Sequence, residues 1–251
     1  MEPRRELELR NAYQRGGVAP AGGTHVLVAA MPKSGSSLLV RMVAELPSFE
    51  RIAVVRGHDR HENELALDPL VRAHDRDWVA QAHVRHSTAT ARMIRAYSLR
   101  TVFQFRDLAD VCVSLHDHLI GIATVNPIAY VPEAFAGWPR ERRLEFVVDT
   151  FVPWYLHFFL SWIDVPGTLR VSYHDVIADP ARELRRVAEF AEVAATSDDL
   201  SAACERALRA PIPTRNRVVE GRGRDLPPAA RRQLERLAGY YSGFDLSPIG
   251  L

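Results

Sequence analysis

The chain has 251 residues, 47% of them hydrophobic and 25% charged, which is the balance of an ordinary globular protein and excludes a disordered or fibrous one. Its 32 basic and 31 acidic residues leave a formal charge of +1, so a broad basic surface for nucleic acid or an anionic membrane is not expected. Two cysteines, Cys112 and Cys204, are too few for a disulfide scaffold or a zinc site and favour a reducing, cytoplasmic location.

Residues 1–23 begin with charge and end in glycine and proline, which predicts an arm and linker ahead of one domain over 24–251. Charged residues follow Met1, so we expect no secretory signal peptide. The most apolar stretch, 151–163, contains Pro153 and His157 and falls short of the roughly 20 residues that a membrane-spanning helix needs. We therefore expect no membrane partner.

Strand and helix patterns alternate along the chain. Residues 25–30 form a continuous apolar run, which is typical of a buried parallel strand, and a polar loop and a helical pattern over 37–46 follow it. Further strands are predicted at 78–84, 101–105 and 168–173, and further helices at 88–97, 108–120, 140–162 and 180–191. This alternation predicts an α/β fold: a single domain with a central parallel β-sheet flanked by helices.

The loop after the first strand, residues 32–37, has the chemistry of an anion site. Ligands of parallel sheets bind beyond the carboxyl ends of the strands, where a helix N-terminus offers N–H groups and a positive dipole end. Gly35 lets the backbone approach a phosphate, and Lys33 supplies a mobile positive charge. Hydroxyl donors come from Ser34, Ser36 and Ser37. The pattern predicts a P-loop-like cradle for phosphate or sulfate.

Lys33 is the only lysine among the 32 basic residues. Arginine there would be planar and bulkier than a compact ammonium, so the retained lysine has a chemical reason. A P-loop of the nucleotide-triphosphatase type places its lysine directly after the second of two glycines, whereas Lys33 precedes the only glycine of its loop. A P-loop nucleotide kinase or NTPase is therefore the second choice.

The loop resembles the 5′-phosphosulfate-binding motif of sulfotransferases that use 3′-phosphoadenosine-5′-phosphosulfate (PAPS), Pro-Lys-Ser-Gly-Thr-Thr-Trp. Serines replace both threonines, and Leu38 replaces the tryptophan near the adenine. The resemblance implies the α/β fold of that family, PAPS as co-substrate and no metal. It also implies that the residues of the loop, Lys33 among them, hold the sulfated end of PAPS.

A second family motif, an Arg and a Ser that bind the 3′-phosphate, is similar to Arg106 and Ser114, which are eight residues apart after a predicted strand. A guanidinium can hold a phosphate through two hydrogen bonds. Tyr173 falls where the family usually contacts adenine, although a tyrosine that caps a core strand explains it equally well. Near the carboxyl end the family carries Arg-Lys-Gly, and Arg217 is the residue chosen for this role here; Arg222 and Arg215 are its rivals.

Transfer to a hydroxyl or amine needs a base, and histidine suits that role near neutral pH. His83 ends a predicted strand where the resembling enzymes carry a catalytic histidine after Lys-Thr; Gln81 and Ala82 stand here instead. His86 is the alternative base, and no role is assigned to His116 or His118.

The sequence thus predicts sulfuryl transfer from PAPS to a hydroxyl or amine of a small-molecule acceptor, with release of adenosine 3′,5′-bisphosphate (PAP). The other alternative is a non-catalytic protein that binds PAP. Loops set the acceptor pocket, so neither the acceptor nor the oligomeric state follows from the sequence.

Overall fold

The computed structural model describes residues 2–55, 64–121, 128–210 and 221–251. Within them one parallel sheet has five strands: β1 His25–Ala30, β2 Glu50–Arg51, β3 Trp78–Ala82, β4 Arg100–Phe105 and β5 Thr168–Ser172. Their order across the sheet is β2-β3-β1-β4-β5, and each neighbouring pair is parallel. The predicted fold class, a parallel sheet flanked by helices, is confirmed.

Helices cover both faces of this sheet. They are α1 Pro3–Gln14, α2 Ser36–Ala44, α3 Leu67–Ala73, α4 Thr88–Ala96, α5 Leu108–Gly121, α6 Arg140–Trp162, α7 Tyr173–Ala178, α8 Pro180–Phe190, α9 Ser197–Arg209 and α10 Pro228–Gly239. Short 3-10 turns lie at Glu133–Gly137, Arg222–Asp225 and Ser247–Ile249. None of the helices in these described ranges is both long and apolar enough to cross a membrane.

The central strand β1 divides two hydrophobic cores. Every residue of β1 is buried, and its side chains alternate between the two faces of the sheet. Val26 and Val28 pack into the core that holds residues of α2, α8 and α9. Leu27 and Ala29 pack into the larger core on the other side, with residues of α5 and α6. Burial on both faces explains the continuous apolar run of this strand.

The last predicted strand ends one residue early. Tyr173 was expected to be its final residue, but it begins α7 instead. Ser172 caps this helix, because its Oγ accepts a hydrogen bond from the Asp175 backbone N–H at 3.0 Å, which satisfies one of the free donors of the first turn. The Tyr173 side chain consequently leaves from the carboxyl edge of the sheet.

The amino-terminal helix α1 packs against α3 and α4. Leu9 is fully buried, and its carbonyl accepts a hydrogen bond from the Tyr97 hydroxyl at 2.9 Å. Arg10 forms an ion pair with Asp68 at 2.8 Å. The domain start near Thr24 stays a prediction, while the arm before it has its own contacts with the body of the protein.

Candidate active site

The carboxyl ends of four neighbouring strands carry the residues singled out from the sequence. The loop that contains Lys33 follows β1, His83 follows β3, Arg106 follows β4 and Tyr173 follows β5. Parallel strands end at one edge of the sheet, so segments distant in sequence meet there. Ser114 joins them from α5, the helix that starts just after Arg106.

The loop is held in a tight, preformed shape. Both Lys33 (φ 68°) and Gly35 (φ 75°) adopt left-handed backbone conformations, and α2 starts directly after Gly35. The Ser34 side chain is fully buried, and its Oγ donates to the Met31 carbonyl at 2.7 Å. Gln104 of β4 donates to the Ser34 carbonyl at 2.8 Å. The Ser34 hydroxyl thus stabilises the loop from inside, and the free N–H groups of the α2 N-terminus are left to face an anion.

Gly35 has a steric role besides its conformational one. A Cβ at this position would overlap the ring of Tyr173. The Arg106 guanidinium lies over the same tyrosine ring. Its Cζ is 4.1 Å from the ring centroid, a cation–π distance. Tyr173 therefore packs between the loop and Arg106.

Arg106 is itself buried and held by the protein. Only 7% of it is exposed, and its Nη1 donates to the Lys33 carbonyl at 3.3 Å. Its Nη2 pairs with Asp110 at 3.1 Å. Ser114, two turns along α5 from Leu108, is buried as well. The structure thus brings the loop, Arg106 and Tyr173 into direct contact, with Ser114 on the helix that leads away from Arg106.

The segment around Arg222 docks on α5. The Gly223 N–H donates to Asp110 Oδ1 at 2.7 Å, and a Cβ at Gly223 would overlap the side chain of Ala109. Arg222 pairs with Asp117, one turn beyond Ser114. The sequence offered Arg222 only as a rival candidate, since Gly221-Arg222-Gly223 does not reproduce the family's Arg-Lys-Gly; Gly223 directly after it was the available signal.

Both other candidates of this segment, Arg217 and Arg215, lie outside the described residues.

The charges near Lys33 make this end of the sheet electropositive. Burial and the neighbouring Arg106 lower the pKa of Lys33, Arg222 lowers it further, and Asp117 opposes them. A lysine desolvated among cations favours a bound anion, because the anion offsets both the lost hydration and the repulsion.

His83 is oriented by the main chain of β1. Its Nδ1 lies 2.7 Å from the Ala30 carbonyl, which can only accept, so Nδ1 carries the proton and the Nε2 of the neutral ring has the lone pair. The Gln81 side-chain nitrogen lies 3.3 Å from that Nε2. Because Ala30 immediately precedes Met31 and the loop, His83 is tied to the same backbone as Lys33.

His86, the alternative base, contacts helix α6 instead of strand β1. The ring of His86 is 5.1 Å from that of Trp162, its backbone N–H donates to Ser161 at 3.1 Å, and burial lowers its pKa. His118 lies one turn after Ser114 on α5, and burial and the charge of Lys33 lower its pKa. His83 is thus the histidine bonded to the strand that leads into the loop, whereas His86 packs on α6.

An α/β protein with an anion loop after β1 and an arginine at the end of β4 belongs to the broad class that binds phosphorylated ligands at the edge of the sheet. The model of the sulfotransferase domain matches residues 23–209. The chain therefore belongs to the sulfotransferase family, and the predicted sulfotransferase function is confirmed. A search of curated proteins finds no match to this sequence.

Solved structures share the fold at low sequence identity. Mouse sulfotransferase SULT7A1 complexed with PAP has a TM-score of 0.67 at 14% identity, over 95% of this chain and 91% of that chain. Retinol dehydratase in complex with androsterone and the inactive cofactor PAP has a TM-score of 0.56 at 16% identity, over 97% and 87%. Sulfotransferase STF1 from Mycobacterium tuberculosis H37Rv has a TM-score of 0.51 at 13% identity, over 94% and 81%.

Proposed function

We propose that this sulfotransferase takes its sulfuryl group from PAPS and transfers it to a hydroxyl or amine of a small-molecule acceptor. The observation that carries the proposal is the meeting of the Lys33 loop with Arg106 at one edge of the sheet, where Nη1 of Arg106 lies 3.3 Å from the Lys33 carbonyl. Two adjacent cation sites suit a ligand with anionic groups at both ends. PAP, present in the SULT7A1 and retinol dehydratase structures, is such a ligand.

Within this proposal, the loop holds the 5′ end of PAPS. Lys33 and the N–H groups of the helix N-terminus face the phosphosulfate, and Ser36 and Ser37 lie in the first turn of α2, where hydroxyls add donors. Ser34 and Gly35 shape the loop through the contacts described above.

In the same proposal, Arg106 and Ser114 bind the 3′-phosphate, and Tyr173 contacts the adenosine. Arg222 supports a third phosphate contact, because its charge acts directly on Lys33. Arg217 remains the choice made from the sequence.

The proposed reaction is an in-line displacement at sulfur. Nε2 of His83 accepts the proton of the acceptor, the acceptor oxygen or nitrogen bonds to sulfur, and the bond from sulfur to the bridging oxygen breaks. The electron pair of that bond stays on the 5′-phosphate of PAP. Lys33 and the loop N–H groups stabilise the charge that develops there, a preorganised electrostatic effect.

Calorimetry with PAP and with ATP plus Mg²⁺ tests the donor site. We expect tight binding of PAP and weak binding of ATP, and the reverse preference would contradict the proposal and favour the kinase alternative. Labelled PAPS with hydroxyl and amine acceptors of several classes tests the transfer. Binding of PAP without transfer to any acceptor would leave the non-catalytic alternative.

Lys33→Ala provides the matched variant for the transfer assay. We expect turnover to fall by about 10²- to 10³-fold, the usual effect of removing one preorganised charge-stabilising group. An unchanged rate would rule out the proposed mechanism.

The two cysteines are buried and free, which supports the further proposal of a reducing, cytoplasmic location.

A further inference from the structure

A chain of four polar side chains runs behind the proposed phosphate site. Nε of Arg143 on α6 donates to Nε2 of His116 on α5 at 3.1 Å. Nδ1 of His116 donates to Oδ1 of Asp117 at 2.9 Å. The other carboxylate oxygen of Asp117 accepts from Arg222. The chain therefore links α6, α5 and the 3-10 turn that carries Arg222.

We infer that Asp117 is a positioning residue for the cofactor, which acts by holding Arg222 against α5 and is itself oriented by His116 and Arg143. The inference rests on the proposed function, since it takes Arg222 as a contact of the 3′-phosphate. It assigns a role in cofactor binding to three side chains that the phosphate does not touch.

The side chains linked to Asp117 are largely buried, so the loss of one charge among them has a large electrostatic effect. His116 is 5% exposed, the Arg222 side chain is 14% exposed and the Asp117 side chain, 39% exposed, is half-buried. A buried guanidinium without its carboxylate would repel the nearby Lys33 unopposed. The hydrogen bonds from Arg222 and His116 hold the pKa of Asp117 below its ordinary value although burial alone would raise it, so Asp117 stays ionised and keeps its hold on Arg222.

Arg222 still has bonding capacity in this arrangement. Its Nη1 is buried and, among the described residues, has no hydrogen-bond partner, while Nη2 is taken by Asp117. An arginine held by a carboxylate at one nitrogen can offer its other nitrogen to a phosphate oxygen. This pattern is what a positioned ligand contact requires.

A second tether holds the same turn at a different point. Asp110 accepts from the Gly223 N–H at 2.7 Å and pairs with Arg106 at 3.1 Å. The backbone of the turn is thus fixed by Asp110, whereas the direction of the Arg222 side chain depends on Asp117. Loss of Asp117 should therefore misdirect Arg222 without releasing the turn.

The chain requires a neutral His116. Its Nε2 accepts from Arg143, so protonation would set a new N–H against that guanidinium. Burial lowers the pKa of His116, Asp117 opposes this, and Arg143 and Arg140 lower it further. Once protonated, His116 would also compete with Arg222 for the charge of Asp117. Cofactor affinity should therefore fall at acid pH through this residue.

Calorimetric titration with PAP tests the inference on the full chain, with each variant first shown to be folded by its thermal unfolding. We expect Arg222→Ala to weaken PAP binding by roughly 10- to 100-fold and Asp117→Asn by roughly 3- to 10-fold. The double variant should bind no more weakly than Arg222→Ala, because Asp117 favours PAP only by positioning Arg222; its own negative charge near Lys33 opposes a bound anion. Asp225→Asn, which removes the partner of Arg140 from the same turn, is the matched control and should bind as the parent does.

Titrations at several pH values separate positioning from simple stabilisation. The change in PAP affinity between pH 7.5 and pH 5.5 includes protonation of the phosphates themselves, which is common to all variants. His116→Asn keeps a donor for Asp117 but cannot be protonated, so it should show a smaller change than the parent. If Asp117→Asn does not fold, this comparison of pH profiles by itself tests the inference.

Additive effects of Asp117→Asn and Arg222→Ala, or equal pH profiles of the parent and His116→Asn, would overturn the inference. Failure of the parent to bind PAP at all would instead refute the proposed function. The two failures are therefore distinguishable.

Discussion

The hydrogen bond from His83 Nδ1 to the Ala30 carbonyl decides which ring nitrogen can act as a base. It fixes the proton on Nδ1 and leaves the lone pair on Nε2, which Gln81 approaches at 3.3 Å. In the proposed reaction, the acceptor hydroxyl would replace Gln81 at that nitrogen. The tautomer, rather than the mere presence of a histidine, therefore suits His83 to proton transfer.

Replacing His83 by alanine should lower the turnover number by about 10²- to 10⁴-fold, the range expected for loss of a general base. PAP affinity should stay within about threefold of the parent, since no phosphate contact is removed. Steady-state kinetics and calorimetry measure the two effects. His86→Ala is the control and should retain activity; the opposite ranking of these two variants would transfer the proposed base to His86.

At the level of elements, the carboxyl ends of β1, β4 and β5 form the proposed cofactor site through direct contacts among Gly35, Tyr173 and Arg106. The Lys33 loop could be predicted because its donors are contiguous in sequence, and Arg106 and Ser114 because their spacing spans one strand end and one helix. The docking of Gly223 on Ala109 could not, because it joins segments more than 100 residues apart.

Gly35→Ala should lower both PAP affinity and thermal stability. The left-handed backbone alone costs about 1 to 2 kcal/mol for a residue with a Cβ, and the overlap with Tyr173 adds to it. Gly167→Ala is the matched control, since Gly167 has φ 71° but open space around its Cβ position. Thermal unfolding and PAP titration of both variants measure the difference, and equal losses would contradict a steric role of Tyr173.

Several elements of the fold also escaped prediction for physical reasons. Strand β2 has two residues, too few for an alternating pattern to appear. Helix α9 buries mainly small side chains, such as Ala203 and Ala207, and α10 buries Ala230 and Leu234, so both helices give a weak apolar signal. The contact of α1 with the body depends mainly on Leu9, the one fully buried side chain of a largely charged helix.

Leu9→Ala should destabilise the protein by about 2 to 5 kcal/mol, the usual cost of truncating a fully buried leucine. Leu7→Ala on the same helix is the control: Leu7 is 60% exposed, so its effect should stay within about 0.5 kcal/mol. Urea unfolding of both variants gives these free energies. A similar small change for both would mean that α1 adds little to the stability of the folded protein.

For the whole molecule, buried histidines couple stability to pH. Burial lowers the pKa of four of them: His74, His86, His116 and His118. Below the ordinary histidine pKa of about 6.5 the unfolded chain binds protons that the folded protein resists. This contribution to the free energy of unfolding is therefore complete above that pH and is lost progressively as the pH falls from it through the lower pKa values of the folded protein.

We expect the urea midpoint to be constant between pH 8 and pH 7 and to fall at pH 5.5. His74→Gln should lose part of this pH dependence, because its amide can still donate to the Pro20 carbonyl, which His74 Nε2 contacts at 2.8 Å, but cannot be protonated. A midpoint equal at pH 7.5 and pH 5.5 would contradict the assignment of these histidines as neutral in the folded state.

The lone lysine of the loop also offers a chemical handle. Because burial and Arg106 lower the pKa of Lys33, more of its amine is neutral and nucleophilic at mildly alkaline pH than for an exposed lysine. No other side-chain amine exists in the sequence, so the stable amide products of an amine-selective acylating reagent should be confined to this site and the terminal amine. Bound PAP should shield Lys33, and the mass increment of each chain would then count filled and empty sites directly.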